Sequence, residues 1–369
     1  MEEFDRSKPD LIYKQFADYL RSQITRGKYK PGQHIPSERQ FSKNLSLNRM
    51  TVRKGISLLV EEGLLQPLRG RGTFVIGYSE DKDKSRNIAF VFVRDSKFPL
   101  SQNPYFVEIL EGAEAEASKF RYGFYLVSVE NNEEDIDSLA SRLLNDKSIS
   151  GIVFIGRIDT AFTEKLIVSV YGRAIPIVMI DHMIPYKSIS TVVTDNSLGA
   201  YEAVKYIISL GHKKIGFISG PSGRQVTKER FEGYKKAMDE SGIKIDEKLI
   251  SESDLHIDGG YSAMMKMLGR AKEYPTAIFA INDESAIGAI KAIKQKNLDV
   301  PGDISVIGFD DIELSSHTTP PLTTMKVYKK EIGRISIQKA VQLIEGKNLL
   351  PVKSLMPASL VIRESCSKK

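Results

Sequence analysis

Cysteine is nearly missing from these 369 residues: Cys366 stands alone, the fourth residue from the end. No intrachain disulfide and no thiolate metal cluster can be built from it, and a reducing compartment fits. Histidine is scarce too. The five, at 34, 182, 212, 256 and 317, lie far apart and never at i, i+4, so no metal-ligand pair is signalled. No apolar run approaches the ~18 residues of a membrane span. The opening Met-Glu-Glu-Phe-Asp lacks the basic start and apolar stretch of a secretory signal. The expected location is therefore the cytoplasm, with no membrane partner. No nucleophile, base and orienting partner recur at catalytic spacing, so an enzyme is not expected, nor is a cofactor.

What the chain does have is an uneven charge. Residues 1–76 carry 14 basic and 8 acidic side chains, whereas the other residues carry 39 of each, so the whole net charge of +6 lies at one end. A polyanion is the expected partner of that end. There, apolar residues at 11, 12, 16, 19, 20 and 24 predict an amphipathic helix over 11–25. Gly27 closes it, and Pro31-Gly32 and Pro36 make an extended turn. Ser37 with Gln40 forms a capping box for a short helix to Leu45. A third helix begins at Arg49 and runs to Glu62, stopped by Gly63. Two short helices around a tight turn are a helix-turn-helix. The runs 64–68 and 73–76, joined by Arg69-Gly70-Arg71-Gly72, then predict a hairpin wing.

Residues 78–87, YSEDKDKSRN, are polar and without periodicity, as a linker is. The expected division is a winged helix-turn-helix at 1–77, this linker, and a body at 88–369. In the body, apolar runs at 88–93, 124–129, 151–155, 175–180, 214–219, 276–281 and 305–309 alternate with helical segments. That alternation predicts parallel sheet, and its length suits two doubly wound α/β lobes.

The stretch PGQHIPSERQFSKNLSLNRMTVRKGISLLVEEGLLQPLRGRGTFV, 31–75, strongly resembles the winged-helix domain of the GntR family of bacterial regulators. The body resembles the effector domain of LacI-family repressors, itself similar to periplasmic sugar-binding proteins. The resemblance is carried by NPYFVEILEGAEAEA from Asn103, GHKKIGFISGP from Gly211, ERFEGYKKAM from Glu229, IFAINDESAIGAIKAI from Ile278 and VPGDISVIGFDDIELSSHTTPPLTTMK from Val300. A GntR-like head on a LacI-like body resembles the arabinose repressor type of regulator. The implied function is a repressor whose homodimer holds operator DNA and releases it when a small, arabinose-like sugar binds between the lobes. A corepressor, or a solute receptor that binds no DNA, are the rival readings.

Arg49, Thr51, Arg53 and Lys54 open the third helix and suit bases and phosphates in the major groove, Arg53 being the preferred base reader. The resemblance adds Glu38 and Arg39 near DNA. Arg69 and Arg71 at the wing tip suit the minor groove. In the body, ligands of such sheets sit beyond the carboxyl ends of strands, which nominates Asp181, Asn282, Asp283 and Asp310, with Arg230 as a hydroxyl-bridging fork. Asp283 also reads as a helix N-cap, and Asn103 as either a hydroxyl binder or a turn before Pro104. By resemblance Asp181, Arg230, Asn282 and Asp310 bind hydroxyls, while Tyr105, Phe106 and Phe309 stack on or enclose the ring. Many relatives have arginine where this chain has His182. Lys326, Lys329 and His256 fall near other ligand positions of those relatives.

Overall fold

The computed structural model describes residues 12–25, 27–29, 33–61, 64–68, 72–75, 86–94, 103–130, 132–156, 161–171, 175–182, 189–270, 273–347 and 351–369. The chain divides into two units, 1–85 and 86–369.

In the first unit, helix α1 (Ile12–Thr25) lays Phe16, Ala17, Leu20 and Ile24 onto α2 (Glu38–Leu45) and α3 (Arg49–Glu61). Ser37 caps α2 by the capping box, its hydroxyl accepting from Gln40 N and its own N–H donating to Gln40 Oε1. Val52, Ile56 and Leu59 are the buried stripe of α3, and Phe16 meets Phe41 edge to face at 5.3 Å. Strands β1 (Leu65–Leu68) and β2 (Gly72–Val75) pair antiparallel as the wing. The segment expected to be only an extended turn also joins this sheet. Ile35 N donates to Thr73 O and Val75 N to Gln33 O, with His34 bridged to Phe74. The linker expected at 78–87 lies outside the described residues except for its last two. Of these, Asn87 opens a strand and donates to Ser148 Oγ.

The second unit is two lobes with one strand order. In the first, β3 (Asn87–Arg94), α4 (Pro104–Lys119), β4 (Gly123–Glu130), α5 (Glu133–Asn145), β5 (Ile149–Gly156), α6 (Ala161–Tyr171), β6 (Ile177–Ile180) and β7 (Ser190–Thr194) follow in sequence. The second repeats the plan with α7 (Asn196–Ser209), β8 (Ile215–Ser219), α8 (Gln225–Glu240), β9 (Ile250–Glu252), α9 (Ile257–Arg270), β10 (Ala277–Ala280), α10 (Asp283–Gln295), β11 (Ser305–Asp310), the short α11 (Glu313–Ser316) and β12 (Thr323–Val327). Helix α12 (Lys329–Ile344) returns the chain to the first lobe, where β13 (Lys353–Met356) adds to β7. Finally β14 (Ala358–Val361) pairs antiparallel with β12 in the second. The sheets are ordered β4-β3-β5-β6-β7-β13 and β9-β8-β10-β11-β12-β14. Among the described residues the chain thus crosses between lobes after β7, after β12 and after β13. Asp195 N donating to Met356 O joins the first and third crossings.

Alternation along β3 explains the layering. Ile88, Phe90 and Phe92 enter the core shared with α4 and α12, whereas Ala89, Val91 and Val93 face the core under α5 and α6. All seven body strands expected from apolar runs are present. Five more, β7, β9, β12, β13 and β14, were not expected, because they are short and rich in Ser, Thr, Lys or Glu. They gain burial from neighbours that a local pattern does not contain.

Helices α4 and α12 touch through backbone. A Cβ on Gly333 would stand 2.0 Å from Ile109 O, and one on Gly112 2.0 Å from Lys330 O. Gly333→Ala is therefore expected to destabilise the body by about 1–3 kcal/mol, read from its urea midpoint. An unchanged midpoint would contradict this close approach.

Candidate functional site

In both lobes the strand order reverses beside the first strand, so the crossover helices leave to opposite faces and a crevice opens at the carboxyl ends. A cleft of about 200 Å³ lies there. From the first lobe it is lined by Asn103, Tyr105 and Phe106 at the start of α4 and by Asp181 after β6. From the second it is lined by Arg230 on α8, Asn282 after β10 and Asp310 ending β11.

Asn103 caps α4 by accepting from Phe106 N, with Pro104 in the first helical turn, which aims Tyr105 and Phe106 into the cleft. The Tyr105 hydroxyl donates to Asp181 Oδ2, and Thr194 N donates to Asp181 Oδ1 at 3.4 Å. Burial raises the Asp181 pKa, the Tyr105 hydrogen bond opposing it. Burial first, then the Asp181 charge, lift the Tyr105 phenol well above its ordinary value.

Arg230 organises the opposite wall. It is 4% exposed and its guanidinium lies 3.6 Å from the Phe309 ring centroid. Its Nε donates to Asn196 Oδ1 at 3.0 Å, one terminal nitrogen to Ile281 O, and the other to Asp310 Oδ1 at 3.1 Å. Asp310 has φ +114°, a strained backbone for a residue with a side chain. Burial pushes its carboxyl up to about 6, while the Arg230 guanidinium and the Lys329 ammonium hold it from rising further. Lys329 is itself buried. It donates to Asp310 O and Asp311 O, both at 2.8 Å, and pairs with Glu108 of α4 at 3.0 Å, tying the end of β11 to the helix that bears the first wall.

Two residues expected at the ligand stand behind the wall instead. Asp283 is fully buried and accepts from Ile312 N at 2.9 Å and from the Thr324 hydroxyl, so it fastens α10 to β12. Burial, then the Asp310 charge, raises its pKa well above the ordinary value. The N-cap role considered for it belongs to Asn282, whose Oδ1 accepts from Ser285 N at 3.0 Å while its Nδ2 donates to Leu255 O at 2.8 Å. Phe309 is fully buried beneath Arg230, so it stacks on the guanidinium rather than facing the cleft. Residues the sequence reading left out include Asn196, Arg224, Gln225, Asp254 and Glu284; His182 and His256 also line the cleft. Of these, Asn196 was findable as the first residue of the helix after the first crossing.

On the head, Glu38 bridges two arginines of α3. Its Oε1 accepts from Arg53 Nε at 3.0 Å, and its Oε2 accepts from the same guanidinium at 3.0 Å and from Arg49 Nε at 3.2 Å. The Arg53 hydrogen bond holds the Glu38 carboxyl below its usual range despite an opposing burial effect. Arg39, Arg49, Arg53 and Lys54 are exposed and Thr51 is half-buried; the Lys54 ammonium lies 6.0 Å from the Tyr13 ring centroid. Arg69 and Arg71 lie outside the described residues.

Residues 12–75 match the bacterial regulatory proteins of the gntR family, and 204–366 match the periplasmic binding protein-like domain. The HTH-type transcriptional regulator DegA of Bacillus subtilis is 34% identical over 269 residues, 73% of this chain and 79% of that protein. The HTH-type transcriptional repressor PurR of Pasteurella multocida is 35% identical over 270 residues, 73% and 79% of the two chains. The transcriptional regulator CelR in complex with cellobiose superposes with a TM-score of 0.70 at 23% identity, over 90% of this chain and all of that one. Head and body together define a DNA-binding transcriptional regulator with an effector domain. The chain belongs to the LacI-type bacterial transcriptional regulators, carrying a GntR-type helix-turn-helix head.

Titration of the Asp310 carboxyl, followed by its ¹³C signal, is expected to have its midpoint near 6. In Arg230→Gln the midpoint is expected to move up, because a charge that favours the ionised form is gone. An unmoved midpoint would show that the pair does not interact.

Proposed function

We propose that this protein is a cytoplasmic repressor of sugar-utilisation genes. Its homodimer binds an operator of approximate twofold symmetry and lets go when a small, arabinose-like sugar closes the cleft. The observation that carries the reading is the Arg230 guanidinium, held flat on Phe309 and braced by Asp310 and Asn196 in the wall of the cleft. Such a fork is preorganised, and its remaining N–H groups suit adjacent hydroxyls of a sugar. Asp181 and Asp310 supply acceptors from opposite lobes, Asn103 and Asn282 stand beside them, and Tyr105 and Phe106 supply apolar cover. Nothing in this set needs to do chemistry on the sugar, so the protein acts as a binder and not as an enzyme.

In the head, Arg49 and Arg53, gathered on the Glu38 carboxylate, are the base and phosphate readers, helped by Arg39, Thr51 and Lys54 and by Arg69 and Arg71. One small module makes too few specific contacts, which is the reason for two per operator. Sugar affects DNA only by favouring one arrangement of the lobes. A coupling of roughly 1–3 kcal/mol corresponds to about a 5- to 150-fold change in operator affinity.

The test is operator titration with and without each monosaccharide. An inducing sugar is expected to weaken binding; tighter binding with sugar would make the protein a corepressor. Arg230→Ala should abolish the sugar effect and leave operator affinity as it was. Arg53→Ala should weaken operator binding by about 1–3 kcal/mol and relax sequence preference. An equal loss on every sequence would reduce Arg53 to a phosphate contact.

A further inference from the structure

In the first turns of the third helix, the side chain that stands opposite the core stripe is not one of its arginines. Val52, Gly55, Ile56 and Leu59 are buried and form the stripe of α3 that packs on α1 and α2. At about 100° per residue, the position opposite the middle of that stripe is Met50. Met50 is 57% exposed, on the first turn of the helix. Arg53 and Lys54 flank it on either side, and the exposed Ser57 continues its line one turn further on. Its own N–H is fixed by Asn48 Oδ1 at 2.8 Å, so the first turn that presents it is tied down.

An exposed thioether between two cations on the leading edge of a basic head is out of place as a solvent-facing residue. Its neighbours on the face are all polar, and it shields no part of the core. When such a helix enters the major groove, the side chain opposite the core stripe goes deepest, to the floor formed by base edges. The apolar group displayed on that floor is the C5-methyl of thymine. Glu38 adds a second constraint: by holding the Arg53 and Arg49 guanidinium groups on its own side of the helix, it leaves the line of Met50 and Ser57 clear of them.

We propose that Met50 is a specificity-determining residue that packs its thioether against the methyl group of one thymine in each operator half-site. Arg53 reads a neighbouring base. This rests on the DNA-binding reading above and extends it from charge to a particular base. Because Met50 lies outside the packed core, shortening it leaves the head folded, and its thermal melt serves as the control.

The experiment starts from duplexes enriched out of a random pool by the full-length wild-type chain, then replaces each thymine singly by uracil, which removes the methyl and keeps the pairing. At one position per half-site, uracil is expected to weaken wild-type binding by about fourfold, the worth of one buried methyl group. Met50→Ala should bind the thymine duplex more weakly and lose the distinction between thymine and uracil at that position, while Met50→Leu keeps it. Wild-type protein indifferent to uracil at every position, or Met50→Ala discriminating as well as wild type, would overturn the assignment. If the wild-type chain enriches no sequence at all, the DNA-binding reading itself falls.

Discussion

A single buried guanidinium sets the geometry of the cleft. Arg230 sits where charge is costly, so its donors must be matched, and three matches come from three separate parts of the second lobe: the start of α7, the end of β10 and the end of β11. Removing Asp310 would leave the buried guanidinium without its counter-charge, which costs more than the bond itself contributes. The network therefore holds together as a unit. It also fixes the strained backbone of Asp310 and turns that carboxylate toward the space between the lobes.

From Asp310 the constraint passes to the other lobe through Lys329. Its ammonium binds the carbonyls of Asp310 and Asp311 and the carboxylate of Glu108, and Glu108 lies one turn along α4 from Tyr105. The Lys329 side chain is 2% exposed, so its bonds to the two carbonyls are little screened by water, while the Glu108 carboxylate is one-third exposed. A ligand that engages Asp310 and Asp181 together thus acts on two walls already joined by an ion pair whose lysine is buried. That join stands at a crossing of the chain between lobes, where a modest change of backbone angle moves whole layers.

Much of this was legible in the sequence. The head shows itself locally: a capping box at Ser37 and Gln40, helix stops at glycine, and a stripe at 52, 56 and 59 are all short-range signals. The seven apolar strands are equally visible, since a strand buried on both faces writes a continuous run. The strands that went unread take their burial from distant partners, β13 from β7 and β14 from β12. At the cleft, the carboxyl-end rule nominated residues that line it, Asp181, Asn282 and Asp310, together with one that does not, Asp283. Asn282 and Asp283 are adjacent, yet helix geometry turns the second inward to Thr324 and Ile312. Phe309 and Asp310 are adjacent on a strand, so only one of them faces the cleft. Met50 was passed over because charge guided the reading of the head, and an apolar side chain carries none.

If the cleft governs the head, the two sites share one coupling free energy, and either ligand must affect the other by the same factor. The most direct measurement is calorimetric titration of an inducing sugar into the full-length protein, free and then saturated with operator duplex. Sugar affinity should be lower on the operator-bound protein, by the factor by which the sugar lowers operator affinity. Equal sugar affinity in the two titrations would mean that the cleft and the head are independent binders on one chain.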